Sequence, residues 1–426
     1  MEMLAAIIFV LMYVLIVSEK VHRTIVAMMG AILMIIVGIM PVDTALHHID
    51  FNTLGLLIGM MILVSITAKT GLFDYVAIKT AKAAKAQPRR LLIYLGFITA
   101  LFSAFLDNVT TVLLMVPVTF AITTKLHIPV VPFLLTQILA SNVGGTATLI
   151  GDPPNIMIGS AVKELTFVAF IENLTPVVIL CMAAVLFVMD VLYRKQMVTK
   201  PELQAEIMQM DEKKSLKDRK LLARSLFVLG LTILGFFTHS FTHIESSVVA
   251  LFGAFLLLLL AGGSQHDVDF SMRKVEWATI FFFIGLFVAV GGLSETGVIR
   301  DLATGAVALT EGDVTKTSLL VLWLSALVSS VLDNIPFVAT MIPLIQNMGA
   351  MGVDNLEPVW WSLSLGACLG GNGTLIGASA NVVMSDISRK NGHVITFAHF
   401  FKVGFPTMLA TVAVSAIYLI VRFPPM

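Results

Sequence analysis

Two aspartates embedded in apolar sequence carry the most obvious chemistry in this chain. Each opens an Asp-Asn pair: Asp107-Asn108-Val109-Thr110-Thr111 and Asp333-Asn334-Ile335-Pro336-Phe337. An ionised carboxylate at membrane depth costs about 2.5–3.5 kcal/mol on insertion scales, so each needs a partner or a proton. No lysine or arginine lies near either one in sequence. The expected partners are therefore a cation, a proton, or neighbouring N–H and Asn groups. Capping of a following helix is the plain structural alternative, and the two roles can coexist.

A second pair of segments is rich in glycine. Gly144-Gly145-Thr146-Ala147-Thr148-Leu149-Ile150-Gly151-Asp152-Pro153-Pro154-Asn155 has its parallel in Gly370-Gly371-Asn372-Gly373-Thr374-Leu375-Ile376-Gly377-Ala378-Ser379-Ala380-Asn381. Glycine lets a chain leave the helix and bring carbonyls close to an ion; it also serves helix–helix packing in membranes. Two matched breaks, each ending in Asn, favour a site. Asn108, Asn155, Asn334 and Asn381 supply neutral donors and acceptors, and Thr148 and Thr374 supply hydroxyls that can replace a hydration shell. Asp152 has two readings. Asp-Pro-Pro is a good helix start, and Asp152 faces Ala378 in the parallel segment, which leaves room for a single special protonation site.

These segments belong to an internal repeat. At a constant offset of 226 residues Thr53 matches Thr279, Gly59 matches Gly285, and Thr70-Gly71 matches Thr296-Gly297. Leu106-Asp107-Asn108 likewise matches Leu332-Asp333-Asn334, Pro117 matches Pro343, and the two diglycines coincide. Apolar low-complexity sequence yields chance Leu–Ile matches, but not paired Asp-Asn and Gly-Gly at one offset.

The elements that must position these residues are membrane helices. The chain has 426 residues, is 58% hydrophobic and 13% charged, and has mean hydropathy +0.95. Apolar stretches near the roughly 20-residue spanning length recur throughout. Expected spans are 3–18, 24–40, 54–70, 91–124, 130–165, 173–193, 225–238, 246–262, 277–293, 317–349, 358–387 and 395–421. The first lacks the basic flank and cleavage site of a signal peptide and reads as a retained helix. Basic clusters (Lys20 with Arg23, Lys79 to Arg90, Arg194 to Arg224) fall on one side only if 91–124 and 317–349 are hairpins entering from opposite faces. Both termini are then expected outside. An odd number of crossings separates Asp107 from Asp333, so the two copies are inverted.

The expected fold is thus an all-α polytopic membrane protein of two inverted-topology repeats, each with a re-entrant hairpin and a discontinuous helix. The expected divisions are a first repeat at 1–193 (scaffold helices 1–90, hairpin and broken helix 91–193), a cytoplasmic linker at 194–224 and a second repeat at 225–426. In the second repeat the scaffold covers 225–316, and the hairpin and broken helix cover 317–426. The linker's mixed charges suggest a solvated helix. Zero net charge gives no reason to expect nucleic acid. Cys181 and Cys368 read as small core residues, and His47, His48, His239 and His243 as solvated loop residues.

The run Ser103-Ala104-Phe105-Leu106-Asp107-Asn108-Val109-Thr110-Thr111, with Gly-Gly-Thr-Ala-Thr-Leu-Ile-Gly-Asp-Pro-Pro-Asn after it, resembles the arsenite permease/sodium–proton antiporter (ArsB/NhaD) family. Within it, the likeness is to the branch of the melanosomal P protein and its bacterial relatives, and Ala367 to Asn381 strengthens it. The resemblance spans essentially the whole chain. It implies a homodimer of the ion transporter superfamily in the cell (inner) membrane, working by an elevator-like motion, with no enzymatic activity. Carried over by position, the ion or substrate residues are Asp107, Asn108, Thr110, Thr148, Asp152, Asn155, Asp333, Asn334, Asn372, Thr374 and Asn381, and the glycine breaks themselves add the carbonyls of Gly144, Gly145, Gly370 and Gly371. A sodium ion would sit near Asp107, Asn108, Asp333 and Asn334. The more distant divalent-anion symporters carry Ser-Asn-Thr at their hairpin tips, so Asp-Asn argues against a dicarboxylate.

The leading expectation is proton-linked cation (Na⁺/H⁺) antiport, with H⁺ and/or Na⁺ as coupling ion and no cofactor. Efflux of arsenite or another small oxyanion is the alternative, followed by an anion channel with the same site. An intramembrane aspartyl protease could use two membrane aspartates, but hydrolysis explains neither the matched glycine breaks nor the Asn pairs.

Overall fold

The computed structural model describes residues 1–18 and 20–424, and all regular structure among them is helical. The first half opens with α1 (Glu2–Ser18), α2 (Arg23–Ile36), the short α3 (Val42–His47), α4 (Phe51–Lys69) and α5 (Leu72–Ala83). Then come α6 (Pro88–Ser103), α7 (Asn108–Lys125), α8 (Val131–Gly145), α9 (Pro153–Ala161) and α10 (Phe167–Tyr193). One short helix, α11 (Pro201–Met208), lies in the connection. The second half holds α12 (Arg219–Thr242), α13 (Ser246–Ala261), α14 (Gln265–Lys274), α15 (Trp277–Thr296) and α16 (Val298–Thr310). It ends with α17 (Val314–Ser329), α18 (Asn334–Ala350), α19 (Glu357–Gly370), α20 (Ser379–Lys390) and α21 (Phe397–Arg422).

Six helices, α4, α7, α10, α12, α15 and α21, are long and apolar enough to cross a membrane. α6 is not: its 16 residues rise about 24 Å at 1.5 Å per residue, short of a ~30 Å hydrocarbon core. It meets α7 at a tight turn, as α17 meets α18, so each pair forms a hairpin. The repeat is visible in element boundaries. Helices beginning at Phe51, Leu72, Pro88, Asn108, Val131 and Pro153 have counterparts beginning at Trp277, Val298, Val314, Asn334, Glu357 and Ser379, each 226 residues later.

Packing follows the same pseudo-symmetry. α4 packs on α13 and, reciprocally, α15 packs on α2. The returning arm of each hairpin lies against the distal half of the other repeat's broken helix, α7 on α20 and α18 on α9. Within each half, the entering arm packs on the proximal half-helix, α6 on α8 and α17 on α19. These contacts bring both tips and both breaks to one place.

Three local expectations need correction. The turns are shorter than Asp107–Thr111 and Asp333–Phe337, because Asn108 and Asn334 already begin helices with the aspartates as N-caps. The diglycines are largely helical, and only Gly371 belongs to an unwound stretch. α8 runs through Gly144 and Gly145, α19 ends at Gly370, and the chain is unwound over 146–152 and 371–378. Gly144 is demanded by packing, since a Cβ there would lie 2.2 Å from the Ala100 carbonyl oxygen. Gly370 stands in the same relation to Ala326, at 2.6 Å. Finally, the connection is not one solvated helix. α12 already starts at Arg219, and the rest is the short α11 and turns stitched to α5 through Lys82 on Glu212 at 2.7 Å and to the α4–α5 turn through Lys217 N–H on the Thr70 carbonyl.

Candidate functional site

Helix starts place the acids. Asp107 accepts the Thr110 N–H at 2.8 Å at the head of α7, and Asp333 accepts the Ile335 N–H at 3.3 Å at the head of α18. Both half-helices therefore point their N-termini, with partial positive charge, at the centre. The first break ends at Asp152 because Pro153 and Pro154 cannot donate backward. Asp152 takes an extended conformation and makes no side-chain cap bond to α9. Ala378 adopts nearly the same backbone angles (φ −148°, ψ 145° against −141° and 136°), so the backbone does not require a carboxylate there. Instead Asp152 is buried and accepts from Asn334 across the repeat boundary at 3.3 Å. The capping reading of Asp152 fails.

Asp107, Asn108, Asp152, Asn334, Arg23 and Glu276 are among the residues lining a cavity of about 30 Å³. That is room for one or two water-sized bodies. Thr279 also faces it and donates to Glu276 at 3.1 Å. No described lysine or arginine forms an ion pair with Asp107, Asp152 or Glu276.

Asp333 is different, and this overturns the expectation that it has no basic partner. The Arg23 guanidinium donates to it at 2.6 Å and to Ser379 at 2.8 Å, while Ser379 donates to Asp333 at 2.7 Å. Arg23 is therefore not simply part of a basic surface loop. Distance along the chain hid it: 310 residues separate the pair.

The other candidates form a hydrogen-bonded frame around the cavity. Asn155 ties the first break together by donating to the Thr146 and Thr148 carbonyls at 3.1 and 2.9 Å. Asn381 does the same for the second, through Gly371 and Thr374 at 2.7 and 2.9 Å. Thr148 and Thr374 donate to the carbonyls of Ala104 and Ser330, fixing each break to its own hairpin turn. Thr110 contributes its N–H to Asp107. Gly144, Gly145, Gly370 and Gly371 serve close approach of the backbone.

Sequence reasoning also missed Asn142, at the hub of this frame. It accepts from Asn108 at 3.2 Å and donates to Asn372 and Asn381 at 2.9 and 3.0 Å. Its repeat counterpart is Cys368, whose thiol points at Asn155 at 3.5 Å, so Cys368 is more than apolar filling. Glu276 and Thr279 had a signal that went unread. Asp50-x-x-Thr53 and Glu276-x-x-Thr279 repeat at the common offset, and in both the threonine hydroxyl bonds the acid, at 2.5 and 3.1 Å. His48 is half-buried on Glu295 at 3.0 Å rather than freely solvated.

Two opposed hairpins and two broken helices enclosing an acid-lined cavity between inverted repeats define a multi-pass cell-membrane transporter, not an enzyme. The chain matches the citrate transporter (CitMHS) family over residues 13–366 and belongs to it. It is 42% identical to an uncharacterized transporter of Mycobacterium tuberculosis over 99% of both chains. It is 40% identical to a 46 kDa membrane protein of Mycobacterium leprae over the same shares. The human P protein is 35% identical over 96% of this chain, which spans 58% of the P protein's length. In fold it is similar to the YdaH transporter of Alcanivorax borkumensis, with TM-score 0.61 and 15% identity, covering 90% of this chain and 87% of that one.

Proposed function

We propose that the chain is a proton-linked secondary transporter whose site takes a small cation, Na⁺ foremost, in exchange for H⁺. The observation that carries this reading is the charge around the cavity. Asp107, Asp152 and Glu276 face about 30 Å³ of space, while the one arginine on its wall is engaged by Asp333. A desolvated cavity with carboxylates and no free base attracts a cation or retains protons. Asn108 and Asn334 complete the polar wall. Asn142, Asn155, Asn372, Asn381, Thr148 and Thr374 hold the breaks in shape. This refines the symmetric expectation: Asp107 and Asp152, rather than Asp107 and Asp333, exchange proton for ion. The hairpins and broken helices would move together against α1, α2, α4, α12, α13 and α15 in an elevator-like step, in a homodimer.

The family description favours a second reading, transport of a carboxylate such as citrate together with its cation. Arg23 and Ser379, beside the N-terminus of α20, are the groups suited to a carboxylate. Purified protein in proteoliposomes with an internal pH dye separates these. Antiport predicts proton efflux driven by Na⁺, radiolabelled sodium uptake and no uptake of labelled citrate. Citrate uptake without sodium–proton exchange would overturn it, and arsenite-driven signal alone would point to oxyanion efflux.

A further inference from the structure

We propose that Arg23 is a gate and positioning residue for transport: its guanidinium, latched to Asp333 and Ser379, seals the ion cavity from a larger cavity on the basic side of the molecule. It deepens the ion-site reading above, although its test does not depend on which ion is carried.

The geometry is specific. A cavity of about 300 Å³ lies against the ion cavity, bounded by Tyr13 of α1, His22 before α2, Asp333 and Pro336 at the second tip, and Val383 of α20. Arg23 and Ser379 are the two residues that line both spaces. Their shared wall is the Arg23–Ser379–Asp333 triangle, with all three sides between 2.6 and 2.8 Å. Behind it the guanidinium carbon sits 4.9 Å over the Phe282 ring of α15, a cation–π contact that holds the arginine from its own side. The larger cavity includes the connection after α1, where Val21 and His22 lie, which the positive-inside rule assigns to the cytoplasm.

The latch also crosses a boundary that matters for motion. Arg23 starts α2, which packs on α1 and α15. Asp333 and Ser379 start α18 and α20, which belong to the hairpin and broken-helix group. Beside it, only the Tyr13 hydroxyl similarly ties α1 to α18, donating to the Pro336 carbonyl at 2.6 Å, among the hydrogen bonds of the described residues around this cavity. Any displacement of the tips relative to α2 must break the Arg23 triangle. While the triangle is closed, the second repeat's aspartate is neutralised and the first repeat's is left to the ion. Arginine suits this role because one nitrogen reaches two oxygens while the planar group stacks on Phe282, which a lysine ammonium does not reproduce.

The test uses full-length protein carrying Val109→Cys, a position that lines the small cavity, in inside-out membrane vesicles. A charged, membrane-impermeant thiol reagent is added, and labelling is corrected for the parent with its buried Cys181 and Cys368. With Arg23 present, labelling is slow. Arg23→Ala is expected to accelerate it at least tenfold, and Arg23→Lys to give an intermediate rate. Asp333→Asn removes the latch from the other side, keeps arginine in place and is expected to accelerate labelling similarly, which covers the case in which Arg23→Ala fails to fold. Equal rates in the Arg23, Arg23→Ala and Asp333→Asn proteins overturn the gate. If labelling accelerates but sodium flux is absent from every protein, the ion assignment falls and the gate stands.

Discussion

Replacing Asp152 by alanine separates its two possible jobs, because the protein already contains the control. At the equivalent point of the second repeat, Ala378 holds the same extended backbone before α20, so Asp152→Ala imposes no new conformation on α9. What is removed is a buried carboxylate and its 3.3 Å bond from Asn334. Losing that bond leaves the buried Asn334 amide without its partner, at about 1–3 kcal/mol. Removing an ionised group from membrane depth returns about 2.5–3.5 kcal/mol if it is charged at rest. Thermal stability in detergent is therefore expected to hold or rise. Transport should behave oppositely. A monovalent cation about 4 Å from a carboxylate gains about 4 kcal/mol at an effective dielectric of 20, so loss of the charge should weaken apparent sodium affinity by roughly a hundred- to a thousand-fold. The assays are a melting curve on purified protein and sodium-dependent proton flux in proteoliposomes. A helix cap would give the reverse pattern, a loss of about 1 kcal/mol of stability with flux intact, and that outcome would refute the reasoning.

Other perturbations test the frame. Gly144→Ala should destabilise by about 1–3 kcal/mol or more through overpacking, since its methyl would meet the Ala100 backbone; a melting curve unchanged from the parent would exclude tight α6–α8 contact. Asn142→Ala leaves Asn108, Asn372 and Asn381 each short of a partner, at about 1–3 kcal/mol for each group left unsatisfied. Its expected signature is lower stability together with faster hydrogen exchange in both breaks, and exchange confined to one break would contradict its role as the hub. Outside the membrane, Lys82 holds the Glu212 carboxyl below its ordinary value of 4.5. That contact favours linker docking at pH values above the ordinary glutamate pKa and is lost as pH falls through the lowered one. Hydrogen-exchange protection over residues 201–216, measured against the intrinsic rate at each pH, should accordingly be higher at neutral pH and fall in acid, and Glu212→Gln should remove that dependence.

The repeat made most of the fold legible. Asp-Asn, Gly-Gly and Thr-Leu-Ile-Gly at one offset located both hairpins and both broken helices, and the helix starts keep that offset. The exact point of unwinding was not legible, because glycine can signal either departure from a helix or close packing. At Gly144 and Gly370 the neighbouring carbonyls decide for packing, and the helices end only at Gly145 and Gly370, with the unwound stretches lying between them and the next helix starts at Pro153 and Ser379. The hydrogen-bond targets of Asn155, Asn381, Thr148 and Thr374 were likewise out of reach. Their residue types announce donors and acceptors, but only the fold shows that the asparagines turn inward on the breaks and the threonines tie each break to its hairpin turn. The contact of Arg23 with Asp333 was hidden for a related reason: an arginine near a helix end satisfies the positive-inside rule whether its guanidinium enters water or bends back toward the protein interior.

Symmetry explains how the chain builds one site from two copies, and the departures from symmetry give that site a direction. The fold needs the repeated elements to be alike, so the tips, breaks and threonine staples recur in both halves. The charges do not recur in the same surroundings. Asp152 has an alanine counterpart, and Glu276 faces the ion cavity while its counterpart Asp50 caps α4 and bonds Ser160 at 2.8 Å. Asp333 has an arginine where Asp107 has none among the described residues. A fully symmetric cavity would present both aspartates to the ion equally and would give its two exits no electrostatic difference. Here the excess acid lies toward the first hairpin, and Arg23, engaged by Asp333, lies on the basic side. A cation can neutralise the former without displacing the latter, whereas a carboxylate must compete with Asp333 for Arg23. That competition makes the two substrate readings unequal in their demands. Cation exchange can proceed with the latch intact during binding, while carboxylate entry requires the Arg23–Asp333 bond to open first. Arg23→Lys should therefore alter citrate uptake more than sodium–proton exchange if both occur, and a larger loss in the exchange would reverse the assignment.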